Sequence, residues 1–228
     1  MDYYDVVKSA HGLIGTVALA TFWLSGFSRK GGPVHRASGK IYLLAMTGML
    51  LSGISMTAAF YTRQHPVAAA FLAYLLVITA TSVWCSWRAV RDKRDRAAYT
   101  GPAYHVLVAL NFLSGLGIAY VGLFVTDRMA LIFTAFSLIG VVNAVRMWRF
   151  ARRAPAQPNW WLHQHFGAMI GNGVATHIAF LSIGLPKLLP MLSGPALQNL
   201  AWLGPLTVSV FAGIYLTRKY TPARKAGA

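Results

Sequence analysis

Apolar stretches about as long as a bilayer is thick recur along the whole chain, each ending in a short polar link. Seven can be read, over residues 9–27, 37–60, 67–88, 103–125, 129–149, 160–185 and 197–217. A chain of this kind must satisfy its backbone inside each crossing segment, which helices do. The longest polar link, residues 88–101, is too short to fold alone. The expectation is one all-α integral membrane domain over residues 1–228, a seven-helix bundle. Composition agrees: 11% of residues are charged, against about 25% in ordinary soluble domains.

The basic residues alternate in density from link to link. Arg29, Lys30, Arg36 and Lys40 follow span 1, and Arg88, Arg91, Lys93, Arg94 and Arg96 follow span 3. Arg146, Arg149, Arg152 and Arg153 surround the end of span 5, and Arg218, Lys219, Arg224 and Lys225 close the chain. The intervening links hold only Arg63, Arg128 and Lys187. The positive-inside rule then places the amino terminus outside and the carboxyl terminus inside. A net charge of +16 spread over such short clusters suits anionic lipid on the inner face and gives no basic domain for nucleic acid. Trp84, Trp87, Trp148, Trp160 and Trp161 fall at inner span ends, and Tyr3, Tyr4, Tyr61 and Trp202 at outer ones, as interfacial belts require. The head MDYYD lacks the basic region of a cleavable signal, so span 1 is expected to be retained. Pro205 is expected to kink span 7.

The chain has no Glu, and its five acids, Asp2, Asp5, Asp92, Asp95 and Asp127, all lie outside the apolar spans. Paired-carboxylate catalysis, carboxylate proton relays and Asp-dependent metal hydrolase sites are thereby excluded from the interior. A single cysteine, Cys85, permits neither an internal disulfide nor a thiolate cluster and reads as a buried thiol.

Histidines remain. With the orientation above they form two layers: His11 and His177 towards the outer surface, and His35, His105 and His163 or His165 at the inner starts of spans 2, 4 and 6. His65 lies in an outer link and is expected to be solvated. An imidazole in lipid needs a partner, so intramembrane histidines point to sites. His163 and His177, 14 positions apart, would lie about 21 Å apart along a helix and about 40° short of four full turns. Gly167, Ile170, Gly171 and Val174 project onto the same strip, leaving room for something flat or bulky, whereas His165 lies about 160° away. Gly167 and Gly171 also make a small-xxx-small pair that suits a neighbouring helix, including one from a homodimer. Span 2 repeats the logic, with His35, Gly39, Tyr42, Met46, Met49 and Gly53 on one face. Arg36 and Lys40 beside it suit lipid phosphate or the carboxylates of a cofactor.

Three chemistries use such residues. Haem b takes imidazoles from facing helices: His11 with His177, and His35 or His105 with His163, with Arg36 on the propionates, giving an electron carrier or a quinone-linked redox protein. A copper or zinc transporter or binding protein would use His11, His35, His163, His165 and His177 with Met46 and Met49. Catalytic zinc needs three imidazoles and a water. A retinal-type receptor is disfavoured, since span 7 has no lysine before Lys219. Each histidine taken singly is as well explained by one structural interhelical hydrogen bond.

The spacing of His163 and His177 resembles the ligand helices of diheme transmembrane cytochromes b, which implies haem axial ligands at those two positions. A wider resemblance covers His11, Lys30, Gly31, Gly32, His35, Arg36, Gly39 and Tyr42, together with the segment WWLHQHFGAMIGNGVATHIAFL. This pattern, with its His-Arg-x-x-Gly-x-x-Tyr motif, resembles a family of uncharacterised bacterial multi-spanning membrane proteins. It implies a histidine-bearing helical bundle of a bacterial cytoplasmic membrane and no particular activity.

Overall fold

The computed structural model describes residues 3–127, 129–153, 158–184, 186, 189–191 and 194–221. Asp2, Arg128, Lys187, Arg224 and Lys225 lie outside the described residues. The described chain is helical: α1 (Tyr3–Phe27), α2 (Pro33–Thr62), α3 (Pro66–Arg91), a single-turn α4 (Arg96–Tyr99), α5 (Pro102–Tyr120), α6 (Ala130–Arg152), α7 (Trp160–Ala179) and α8 (Pro195–Tyr220). Wide π turns extend α5 over Val121–Val125 and α7 over Phe180–Gly184. Proline opens α2, α3, α5 and α8, where its missing N–H has no bond to lose. α8 continues through Pro205 without a break in its helix.

Six helices, α1, α2, α3, α5 with its π turn, α6 and α8, are long and apolar enough to cross a membrane. Only 11% of the most apolar window of α1 is buried, and 39% of that of α6, so most apolar side chains face outward, as lipid requires of them. α7 carries three histidines, Gln164, Asn172 and Thr176, and packs closely on α3, α8 and α1.

The basic end of the bundle is tied together by backbone oxygens. The Arg96 guanidinium donates to the carbonyls of Phe150, Ala151 and Arg153, closing the carboxyl end of α6, where a cation also meets the negative end of the helix dipole. Asp95 caps α4 by accepting from the Ala98 N–H at 2.9 Å. Asn159 donates to the Tyr220 carbonyl at 3.1 Å, joining the start of α7 to the end of α8. Burial, and then the neighbouring Lys219, pull the Lys30 ammonium below the usual lysine range, which sets the α1–α2 turn at this same end.

Inside, α3, α5 and α6 share a satisfied polar ladder. Asn111, fully buried, donates to Thr81 Oγ1 at 2.6 Å and accepts from Asn143 at 3.2 Å. The Tyr74 hydroxyl donates to the Phe136 carbonyl and accepts from the Gly140 N–H. Gly140 permits this approach, because a Cβ there would sit 2.8 Å from the Tyr74 oxygen and 2.9 Å from the Asn111 carbonyl. Gly140→Ala is therefore expected to destabilise the fold by about 1–3 kcal/mol through overpacking, read as a lower thermal midpoint in detergent.

Candidate functional site: the three faces of the histidine helix

Successive residues of an α-helix are rotated by about 100°, and on α7 that rotation sends its three histidines to three different surroundings.

His165 faces α3. Its Nδ1 donates to the Ser86 carbonyl at 3.0 Å. Asn172, two turns further along the same face, donates to Ser86 Oγ at 3.4 Å and is fully buried. Thr176, one turn beyond, meets the Tyr42 hydroxyl of α2 at 2.9 Å and donates to Met46 Sδ at 3.6 Å. His35 of α2 lies two turns below Tyr42 on that helix's matching face and within electrostatic reach of His165. Its Nδ1 donates to the Ser25 carbonyl of α1 at 3.1 Å. A carbonyl only accepts, so in the neutral ring each histidine carries its proton on Nδ1 and presents an Nε2 lone pair. Neither Nε2 has a hydrogen bond among the described residues.

His163 faces a cavity of about 2060 Å³ bounded by α1, α2, α3, α6, α7 and α8, well beyond the roughly 300–1,000 Å³ usual for a small-ligand site. Its Nε2 is buried and has no hydrogen-bond partner among the described residues. Gly167, Ile170, Gly171 and Val174 line the same cavity, as their shared strip predicts. Gly171 is needed by the protein itself: a Cβ there would meet Ser82 Oγ of α3 at 2.9 Å. The small-xxx-small pair is thus half used within the chain. At Gly167 a Cβ would meet nothing within 4 Å.

His177 does not continue that strip. At its depth α1 covers the face, and the imidazole lies edge-on to Phe22 at 5.4 Å and Trp23 at 5.3 Å. Its Nδ1 donates to the Gly173 carbonyl of its own helix at 2.6 Å, and Nε2 is buried without a partner among the described residues. Phe22 presses so closely that a Cβ on Gly173 would stand 2.5 Å from it, leaving no clearance for a flat group.

The expected pairings change accordingly. His11 and His177 are not brought together: the α1 side chains touching His177 are 11 and 12 residues beyond His11, about 17 Å along the axis. His11 bonds Ser52 of α2 through Nδ1 at 2.7 Å and lines the large cavity. His105 is exposed, bonds the Gly101 carbonyl of its own turn and sits on α5, which packs against α3 and α6 and not closely on α7. His163 therefore gains no partner from it. His35 bonds the Ser25 carbonyl of α1 and no residue of α7 among those described. No group of three or more His, Cys, Asp or Glu gathers to hold a metal ion among the described residues, so His11, His35, His163, His165 and His177 do not make one metal centre. Met46 is engaged by Thr176, and Met49 packs against Gly15. Both read as packing. Two residues missed in the sequence are the Ser25 and Ser86 carbonyls, which no side-chain pattern could reveal.

No protein-family model, curated relative or solved structure matches this chain. Gly167→Ala is expected to leave the fold intact and to raise the thermal midpoint, since alanine favours a helix by about 0.5–1 kcal/mol over glycine and meets nothing here. A loss of stability would show that the open space beside Gly167 does not exist.

Proposed function

We propose that the chain spans a bacterial cytoplasmic membrane seven times, basic ends inward, and holds one haem b between α2 and α7 as a one-electron carrier. The topology rests on the segregation of Arg29, Arg88, Arg96, Arg149, Arg153 and Lys219 to one end of the bundle.

The observation that carries the haem reading is the pair of carbonyl-anchored imidazoles. His35 and His165 come from different helices, their Nδ1 atoms are held by Ser25 and Ser86, and both Nε2 lone pairs are free. Metal-bound imidazoles are commonly held in this way, since a carbonyl acceptor fixes the ring and makes the far nitrogen a better donor. α2 and α7 meet through the Tyr42 and Met46 side chains, both of which reach Thr176. Arg36 and Lys40, exposed beside His35, supply cations for propionates. When bound, haem supplies a reversible one-electron couple of its iron. The chain's own residues fix ligand orientation and keep the surroundings free of acid.

The protein purified from haem-supplemented cells is expected to show a Soret band and, after dithionite, a sharpened α band. His35→Ala and His165→Ala should each abolish that α band, while His105→Ala and His177→Ala keep it. A colourless wild-type protein would overturn the reading, and copper or zinc found in the same sample by elemental analysis would replace it with metal handling.

A further inference from the structure

We infer that Lys30 is a positioning residue for His35, whose Nε2 it makes a weaker electron donor by holding the same backbone carbonyl that holds His35 Nδ1. The inference deepens the haem reading, on which its redox consequence rests, while the hydrogen bonds behind it stand without haem.

Ser25 and Gly26 lie in the last turn of α1, where carbonyls find no helical N–H and the helix dipole is negative. Three side chains converge on the Ser25 oxygen: Lys30 Nζ at 2.9 Å, Ser28 Oγ at 3.1 Å and His35 Nδ1 at 3.1 Å. Lys30 also donates to the Gly26 carbonyl. Gly31, with a φ of +76°, supplies the left-handed step of the turn between Lys30 and His35. The Ser25 hydroxyl lies 2.7 Å from Ser38 Oγ, both side chains buried, which holds this turn of α1 against α2. A carbonyl oxygen has two lone pairs, so the three donors compete for it. Only the ammonium bond is charge-assisted, and such bonds are about twice as strong as neutral ones, so Lys30 keeps its share at the expense of its neighbours.

An imidazole whose Nδ1–H is strongly accepted donates more strongly through Nε2, the usual effect of a hydrogen-bond partner on a ligand's far nitrogen. Lys30 works against this by drawing on the acceptor. Its positive charge also favours the state of a bound ion that carries one positive charge fewer. Both effects raise the reduction potential of an iron held by His35. Lys219 is the other cation within electrostatic reach of Lys30, and it has no bond to the Ser25 carbonyl among the described residues. Its replacement separates sharing of the carbonyl from the general field of the basic end.

The test has two readouts on the full chain in phosphatidylcholine nanodiscs. The first needs no haem: the nuclear magnetic resonance signal of the His35 Nδ1–H proton, in protein labelled with nitrogen-15 histidine and identified by its loss in His35→Ala. Lys30→Met is expected to move it downfield, the sign of a stronger hydrogen bond, with Lys30→Arg restoring the wild-type position and Lys219→Met leaving it there. The second is a redox titration of the haem-loaded protein. Lys30→Met should lower the midpoint potential, shifting the ferric-to-ferrous ratio by about three- to tenfold, which is ~30–60 mV for one electron. Lys30→Arg should again lie close to the wild type. Should Lys30→Met not fold, Lys30→Gln takes its place in both readouts. An unmoved proton signal overturns the proposal whether or not haem is bound, as does a moved signal beside an unchanged potential. Lys219→Met matching Lys30→Met in either readout also overturns it, in favour of the general field. A colourless protein overturns the haem reading alone and leaves the first readout to decide the role of Lys30.

Discussion

Buried donors in this bundle meet an interior that holds no carboxylate, and helix carbonyls serve as acceptors instead. Ser25 and Ser86 take the Nδ1 protons of His35 and His165, Phe136 takes the Tyr74 hydroxyl, and Met147 takes that of Tyr104. A carbonyl that accepts from a neighbouring helix couples orientation to chemistry: it fixes the ring plane and the tautomer together. An acid in the same place would add a charge that lipid surroundings penalise. The same oxygens close the basic end, where Arg96 gathers three carbonyls of and beyond α6.

α7 divides the interior. Its rotation places His165 towards α2 and α3 and His163, two residues earlier, towards the large cavity, while His177 is packed away against Phe22 and Trp23 of α1. One helix thus separates a pair of fixed lone pairs from an open apolar chamber.

Much of this was legible in the sequence. Helix positions follow hydropathy closely, and the helix ends differ from the expected spans by a few residues, most at the amino terminus, where α1 begins at Tyr3; α7, expected as the sixth span, is not among the six described helices long and apolar enough to cross a membrane. The opposition of His163 and His165, and the strip formed with Gly167 and Gly171, follow from helical periodicity alone. Pairing between helices does not, because it depends on which helices become neighbours and at what depth. The outer pairing of His11 with His177 rested on counting from span ends, and the contacts of Phe22 and Trp23 set His177 far from His11 along α1. His105 sits at the right depth on the wrong helix. Backbone acceptors carry no sequence signal at all, and the role of Arg96 on α6 depends on a fold that brings residues 96 and 153 together.

The account turns on the proposal that His35 and His165, each held through Nδ1 by a backbone carbonyl, bind one haem through Nε2. Low-temperature electron paramagnetic resonance of the oxidised protein, loaded with haem, tests this most directly. The low-spin signal of two imidazole ligands is predicted, converting to high-spin in His165→Ala. A high-spin signal in the wild type, or a low-spin signal that survives His165→Ala, would contradict it.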